Sequence, residues 1–94
     1  FEPPDTNVFR NLELAYQAMH IGGNMPCILN AANEAAVMAF LHDKTGFLQM
    51  TDIVEKTMQK ATFITTPDYE DYVKTNNEAR KIAEKLIETG GYKL

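Results

Sequence analysis

The most apolar stretch of the chain, residues 25–41, is one long run broken by few polar side chains. Apart from Pro26, Asn30, Asn33 and Glu34, every residue in it is apolar. Alanine, leucine and methionine dominate, and they are strong helix formers. Pro26 stands near the start, where a helix loses no hydrogen bond to proline. A helix that is apolar almost all round needs neighbours on several sides. The run therefore predicts the central helix of a small bundle, Met25–Leu41, and it is too short and too polar in its middle to favour a membrane span.

Apolar residues at helical spacing predict further helices on both sides of the central one. Gly22-Gly23, Thr45-Gly46 and Gly90-Gly91 mark the breaks between elements or their ends. The stretch 62–67 is β-branched and aromatic, but with no partner strand in view it is interpreted as an extended loop. Besides the central helix, the predicted helices are Val8–His20, Asp52–Ala61, a short one at Asp68–Thr75, and a last one from Asn76 or Asn77 to Glu88. Asn24 is the expected N-cap of the central helix, and Thr51 and Asp52 are the expected caps of the helix that follows it.

The expected fold is an all-α, four-helix bundle with an extended N-terminal arm and one extra short helix. The arm covers residues 1–7, the helical domain residues 8–89 and a tail residues 90–94. Met50, Phe47 and Leu48 are expected to fold back onto the core. The residues expected to face inward are Leu12, Ala15, Tyr16 and Met19 in the first helix, Leu29 and Phe40 in the second, Ile53, Val54, Thr57, Met58 and Ala61 in the third, Tyr69, Tyr72 and Val73 in the short helix, and Ala79, Ile82, Ala83, Leu86 and Ile87 in the last.

Composition narrows the possible functions. The chain has 94 residues, 45% of them hydrophobic, and a formal net charge of −4. With no basic cluster, it is not expected to bind nucleic acid or an anionic membrane surface. Cys27 is the only cysteine, so no intrachain disulfide can form, which is compatible with a cytoplasmic location. The chain begins at Phe1 without an initiator methionine, which suggests a piece of a longer polypeptide.

Asn30, Asn33 and Glu34 form the candidate site that the spacing offers. They lie at positions i, i+3 and i+4, so a helix places them on one face. A ligand site is one interpretation. A structural polar patch is favoured, because no second acid, histidine or lysine lies nearby in sequence to complete a reactive set. In that interpretation the asparagines pin the arm or a neighbouring helix, Glu34 finds a lysine, an arginine or a helix N-terminus, and Asn33→Leu lowers the thermal midpoint.

A search for other chemistry finds no catalytic, cofactor-binding or metal-binding motif in the sequence. His20 and His42 lie far apart, each at the end of a predicted helix. The chain has no HExxH sequence, no cysteine pair and no serine. Gly22-Gly23 lacks the preceding strand and the spacing of a phosphate-binding loop. From its residues alone, the chain is an acidic all-α domain without a visible active site.

Several segments resemble one enzyme family in the right order along the chain. They are FEPPDTNVFRNLELAYQA at 1–18, GGNMPCILNAANEAAVMAFL at 22–41, GFLQMTDIVE at 46–55 and TNNEARKIAEKL at 75–86. LNAANE, at 29–34, is the most distinctive. Together they resemble the C-terminal region of 1-deoxy-D-xylulose 5-phosphate reductoisomerases, although Pro3-Pro4 stands where members of that family vary.

The resemblance implies a parent enzyme of non-mevalonate isoprenoid biosynthesis. Members of the family are homodimers that convert 1-deoxy-D-xylulose 5-phosphate to 2-C-methyl-D-erythritol 4-phosphate with NADPH and Mg²⁺ or Mn²⁺. Their NADPH domain, metal-binding acids and phosphate-binding residues lie upstream of the matching region. The chain is therefore expected to be an accessory domain, inactive alone, whose partners are the upstream domains of its own polypeptide. The alternative is a free-standing helical interaction module, with Phe1, Phe47 and Phe63 as interface anchors.

Overall fold

The computed structural model describes residues 6–90, with side chains from residue 9 onward. The expected all-α bundle is confirmed, and the described residues contain no strand. Residues 1–5 of the expected arm and 91–94 of the expected tail lie outside the described part, whereas Thr6 and Asn7, also expected in the arm, belong to the first helix. The elements are α1 (Thr6–Ile21), α2 (Met25–Leu41), a 3₁₀ helix (Phe47–Gln49), α3 (Met50–Lys60) and α4 (Tyr69–Thr89).

Helix α2 lies at the centre of the bundle, with the bounds that the sequence predicts, and contacts α1, α3 and α4. Its buried side is built mainly from alanines, which let neighbouring helix backbones approach closely. Ala79 and Ala83 are the corresponding small residues of α4 and are fully buried. The buried residues of α2 are Met25, Ile28, Ala31, Ala32, Ala35, Ala36 and Ala39.

The extra short helix at Asp68–Thr75 is a wrong prediction, because that segment is the beginning of α4. Asp68 and Asp71 cap the helix reciprocally: the Asp71 N–H donates to Asp68 Oδ1 at 2.8 Å, and the Asp68 N–H donates to Asp71 Oδ2 at 3.1 Å. No glycine or proline interrupts Tyr69–Thr89, so nothing stops the helix once this capping box has started it. Asn76 and Asn77 are exposed residues inside α4 and not its N-caps.

The inner faces expected for α3 and for the last helix are confirmed. Ile53, Val54 and Thr57 are buried, and Met58 packs against both core clusters. The start of α3 differs from the prediction, because the helix begins at Met50, immediately after the 3₁₀ turn. Thr51 is therefore a buried residue of its first turn and not an N-cap.

The predicted inner face of α1 is wrong. Leu12, Tyr16 and Met19 form a continuous apolar stripe, but the stripe faces outward and all three are exposed. The side of α1 that packs on the bundle carries Leu14 and Ala18, one turn apart. The sequence pattern identified an apolar face correctly but could not show that α1 has a second, smaller one, which is the face that this bundle covers.

Other apolar residues expected in the core also lie at the surface. Phe40 is exposed and contacts the exposed Phe47 ring, with centroids 6.0 Å apart, while Met50 does pack on the core. Four further apolar residues that were expected to face inward are exposed, namely Leu48, Tyr69, Tyr72 and Val73.

The stretch 62–67 is the predicted extended connection. Within residues 6–90, no helix combines the length and apolar character needed to cross a membrane.

Candidate functional site: polar residues on and beside the central helix

The predicted polar patch lies on the outer side of α2. Asn30 and Asn33 are exposed, and within the described residues neither side chain makes a hydrogen bond. Glu34 accepts a hydrogen bond from Arg80 Nη2, which ties α2 to α4 and is the kind of basic partner that the sequence predicted. The arrangement offers two amide side chains to solvent beside one surface ion pair. Among residues 9–90, the two asparagines hold no neighbouring segment by a side-chain hydrogen bond. A contact with the expected arm therefore stays a prediction.

A polar contact that the sequence did not reveal lies at the start of α2. Asn24 is fully buried, and its side chain bonds to two other elements. Its Nδ2 donates to the Thr62 carbonyl at 2.9 Å and to Thr75 Oγ1 at 2.8 Å. Its Oδ1 accepts from the Ile64 N–H at 2.8 Å. The Nδ2 group and the Oδ1 atom of this buried amide thus both have hydrogen-bond partners. A buried amide without partners would be costly, so these bonds stabilise the core.

Asn24 was expected to cap α2, and the structure gives its side chain a different role. The residue does stand at the N-cap position, but its side chain makes no capping hydrogen bond. The amide points to the loop between α3 and α4 instead, and the backbone N–H of Asn24 also bonds to the Ile64 carbonyl at 3.0 Å. Only an asparagine after two glycines was visible in the sequence, and that pattern is typical of a cap.

The loop at 62–67 is held from both sides. Glu78 of α4 accepts from the Thr62 N–H at 2.9 Å and from Thr62 Oγ1 at 3.0 Å. On the other side, Gly23 lies so close to the Ile64 carbonyl that a β-carbon there would overlap with it. The φ of Gly23 is also +57°, a conformation that favours glycine. Asn24, Glu78 and Gly23 therefore hold the loop between α3 and α4 against the start of α2.

Two arginines link pairs of helices at the surface. Arg10 of α1 donates to Asp52 at 2.8 Å and to Glu55 at 3.0 Å, both on α3. The hydrogen bond to Asp52 is the main reason that the pKa of Arg10 is raised. Arg80 links α4 to Glu34 of α2. These side chains are about one-third exposed or more, so each pair orients its helices and adds little stability.

Cys27 is half-buried near the start of α2, with Sγ 3.6 Å from the Tyr72 carbonyl. Burial raises the pKa of its thiol, which keeps it protonated and a poor nucleophile. The side chains described between residues 9 and 90 include no cluster of three metal-binding groups. At the Gly22-Gly23 turn, Gly23 is packed against the Ile64 carbonyl.

The fold and its contacts define a helical-bundle domain in which Asn24, Arg10 and Arg80 join its own elements. Over residues 1–82, the sequence matches the family described as the DXP reductoisomerase C-terminal domain, and the chain belongs to that family. The expected resemblance is confirmed.

Several relatives are named 1-deoxy-D-xylulose 5-phosphate reductoisomerase. The Bacteroides thetaiotaomicron protein is 62% identical over 93% of this chain, and the Desulforamulus reducens protein is 47% identical over 93%. The solved structure of the Zymomonas mobilis reductoisomerase in complex with NADPH matches 95% of this chain with a TM-score of 0.82 and 47% identity. The chain spans only 22% of the two relatives and 24% of the solved chain.

Proposed function

We propose that this chain is the accessory C-terminal domain of a cytoplasmic 1-deoxy-D-xylulose 5-phosphate reductoisomerase, and that its role is structural. The observation that carries the proposal is that nearly the whole chain matches less than a quarter of each relative. A piece of that size, in which Asn24, Glu78 and Arg80 bond to the domain's own helices and loop, suits a support for the rest of the enzyme better than a reaction centre.

The full-length enzyme is proposed to convert 1-deoxy-D-xylulose 5-phosphate to 2-C-methyl-D-erythritol 4-phosphate as a homodimer, using NADPH and Mg²⁺ or Mn²⁺. In this proposal those groups are held by the domains upstream of this one. NADPH would supply the hydride and the cation would polarise substrate oxygens. The contribution of this domain would be to hold the neighbouring parts of the polypeptide in the geometry that the reaction needs.

The experiment compares substitutions at buried and exposed asparagines in the full-length enzyme, with NADPH oxidation as the readout. Asn24→Leu is expected to lower the temperature at which activity is lost, because it loosens the loop between α3 and α4. At low temperature its KM values for substrate and NADPH should change by less than about twofold, since Asn24 is far from substrate in this proposal.

Asn30→Ala with Asn33→Ala, and Lys81→Ala as a matched surface control, should leave both KM values and thermal inactivation unchanged. A rise of more than about tenfold in KM for Asn30→Ala or Asn33→Ala would contradict the structural role, because it would place this helix face in a binding site. Full activity of the enzyme after removal of the domain would contradict the supporting role itself.

The alternative of a free-standing interaction module requires the domain to act without an attached enzyme. The exposure of Phe47 and Phe63 is compatible with it, and Phe1 lies outside the described residues. An exposed apolar surface is equally expected where the rest of a larger protein is missing, and the match of this chain to part of a larger enzyme favours that explanation.

A further inference from the structure

Helix α1 has two apolar faces, and the bundle covers only one. Leu14 and Ala18 are buried against the bundle. The outer face of α1, formed by Phe9, Leu12, Tyr16 and Met19, is exposed by 56%, 62%, 71% and 77%. At about 100° per residue, this outer face lies roughly opposite the buried one. A helix that carries two apolar faces is normally covered on both sides.

The outer face of α1 has the composition of an interface. It carries the aromatic rings of Phe9 and Tyr16, two turns apart, and Met19 one turn further on, and such residues are enriched at the buried centres of interfaces. Its spacing matches the anchor pattern by which a helix lies against a groove or another helix. None of the four positions is acidic or basic, although His20 stacks on the Tyr16 ring with centroids 5.9 Å apart and the rest of the chain carries a net charge of −4. An uncharged apolar stripe on an acidic domain is a specific feature.

The relatives indicate what covers this face. They contain more than three-quarters of their length outside the part that this chain matches. The matching family is a C-terminal domain, so in those proteins the remaining polypeptide enters through the first helix of the domain, which corresponds to α1. An attached partner has a high effective concentration and can dock on a modest apolar surface.

We propose that the outer face of α1 is the surface on which this domain docks against the preceding part of its own polypeptide, through apolar contacts made by Leu12, Tyr16 and Met19. The proposal rests on the proposed function, because it requires the chain to be part of a longer reductoisomerase. It adds the location of the contact and its chemistry, an apolar surface on the preceding domain or on the segment that connects to it.

The experiment measures thiol labelling in the full-length enzyme. The background carries Cys27→Ala and no other reactive cysteine, and single cysteines are introduced as Leu12→Cys or Met19→Cys. The controls are Lys81→Cys and Lys85→Cys, at exposed positions of α4. Relative to the denatured enzyme, labelling at positions 12 and 19 should be slowed by more than about tenfold and at the controls by less than about twofold. The described residues leave positions 12 and 19 exposed, so this protection must come from outside residues 6–90.

Two results would overturn the proposal. Labelling at positions 12 and 19 as fast as at the controls would show that nothing covers this face. Protection that disappears on dilution to a monomer would show that a second copy covers it. The activity assay separates this failure from failure of the proposed function: an enzyme that needs the domain but labels freely at position 12 keeps the supporting role and loses only the docking surface.

A second pair of variants tests the same surface without labelling. Leu12→Glu with Met19→Glu places two charges on the outer face of α1, and Lys81→Glu places one on α4. The first is expected to separate the thermal unfolding of the full-length enzyme into two transitions, because domains that no longer dock unfold independently. Lys81→Glu should retain the transition of the parent enzyme. Identical unfolding of both variants would contradict the proposal.

Discussion

Helices α1 and α3 carry apolar stripes of the same period, yet the bundle buries one stripe and exposes the other. Ile53 and Val54 of α3 lie in the core, whereas Leu12 and Met19 of α1 face outward. Both stripes obey the rule that apolar residues recur every three or four positions. The difference teaches that periodicity reports an apolar face but not the partner that covers it. In a domain cut from a larger protein, the partner can lie outside the domain.

The largest expected difference in stability is between truncating a residue of the α3 stripe and truncating a residue of the α1 stripe. Ile53 is fully buried, so Ile53→Ala should lower the free energy of unfolding by about 2–5 kcal/mol through lost burial and a residual cavity. Leu12→Ala removes a mostly exposed side chain and should cost less than about 0.5 kcal/mol. Urea unfolding of the 94-residue chain measures both values.

The contrast fails if the two substitutions cost the same. A loss of several kcal/mol for Leu12→Ala would mean that the outer face of α1 is already covered in the 94-residue chain, for example by a second copy. Repeating the unfolding at two protein concentrations distinguishes that case, because only an associated state has a concentration-dependent midpoint.

Two asparagines sharpen the same comparison for polar residues. Asn24→Leu leaves the Ile64 N–H, the Thr62 carbonyl and the buried Thr75 hydroxyl without their partner. With a penalty of about 1–3 kcal/mol for each buried group left unpaired, and partial access of water to the loop, a total of about 2–3 kcal/mol is expected. Asn33→Leu should change stability by less than about 0.5 kcal/mol.

This expectation for Asn33 replaces the one made from the sequence, where the residue was assigned to a pinning contact. Thermal unfolding of both variants checks it. A clear destabilisation by Asn33→Leu would show that its amide has a partner in solution after all, and an unchanged midpoint for Asn24→Leu would show that the loop carries no stability.

Most of the fold could be predicted because its signals are local. The bounds of α2 follow from Gly22-Gly23 before it and the polar residues after it, and the inner faces of α3 and α4 follow from their stripes. The continuity of α4 was missed because Asn76 and Asn77 favour helix ends in general, whereas the capping box at Asp68 starts this helix earlier and no residue stops it. Long-range packing, not propensity, decided which side of α1 turned inward.

The site was less predictable, because it depends on contacts between distant segments. Asn30 and Asn33 are polar residues in an apolar helix, which predicts a buried polar patch, but burial cannot be inferred from the identity of a neighbour in sequence. Asn24 bonds to residues 38 to 51 positions away. No periodic pattern encodes such a contact. Its only signal was an asparagine between a glycine turn and a helix, which a simple cap explains equally well.

The smallest expected effect concerns a single oxygen on the inner face of α3. Thr51 is fully buried, and its hydroxyl has no hydrogen-bond partner among the described residues. Thr51→Val replaces that hydroxyl with a methyl of similar size and should raise the free energy of unfolding by about 1 kcal/mol, because burying an unpaired polar group is costly. Thr57→Val is the matched control: Thr57 is equally buried, but its hydroxyl donates to the Ile53 carbonyl at 2.8 Å, so no gain is expected. Urea unfolding of the two variants gives the difference directly. Equal effects would mean that the Thr51 hydroxyl has a partner in solution, and the inner face of α3 would then be as fully satisfied as the contacts around Asn24.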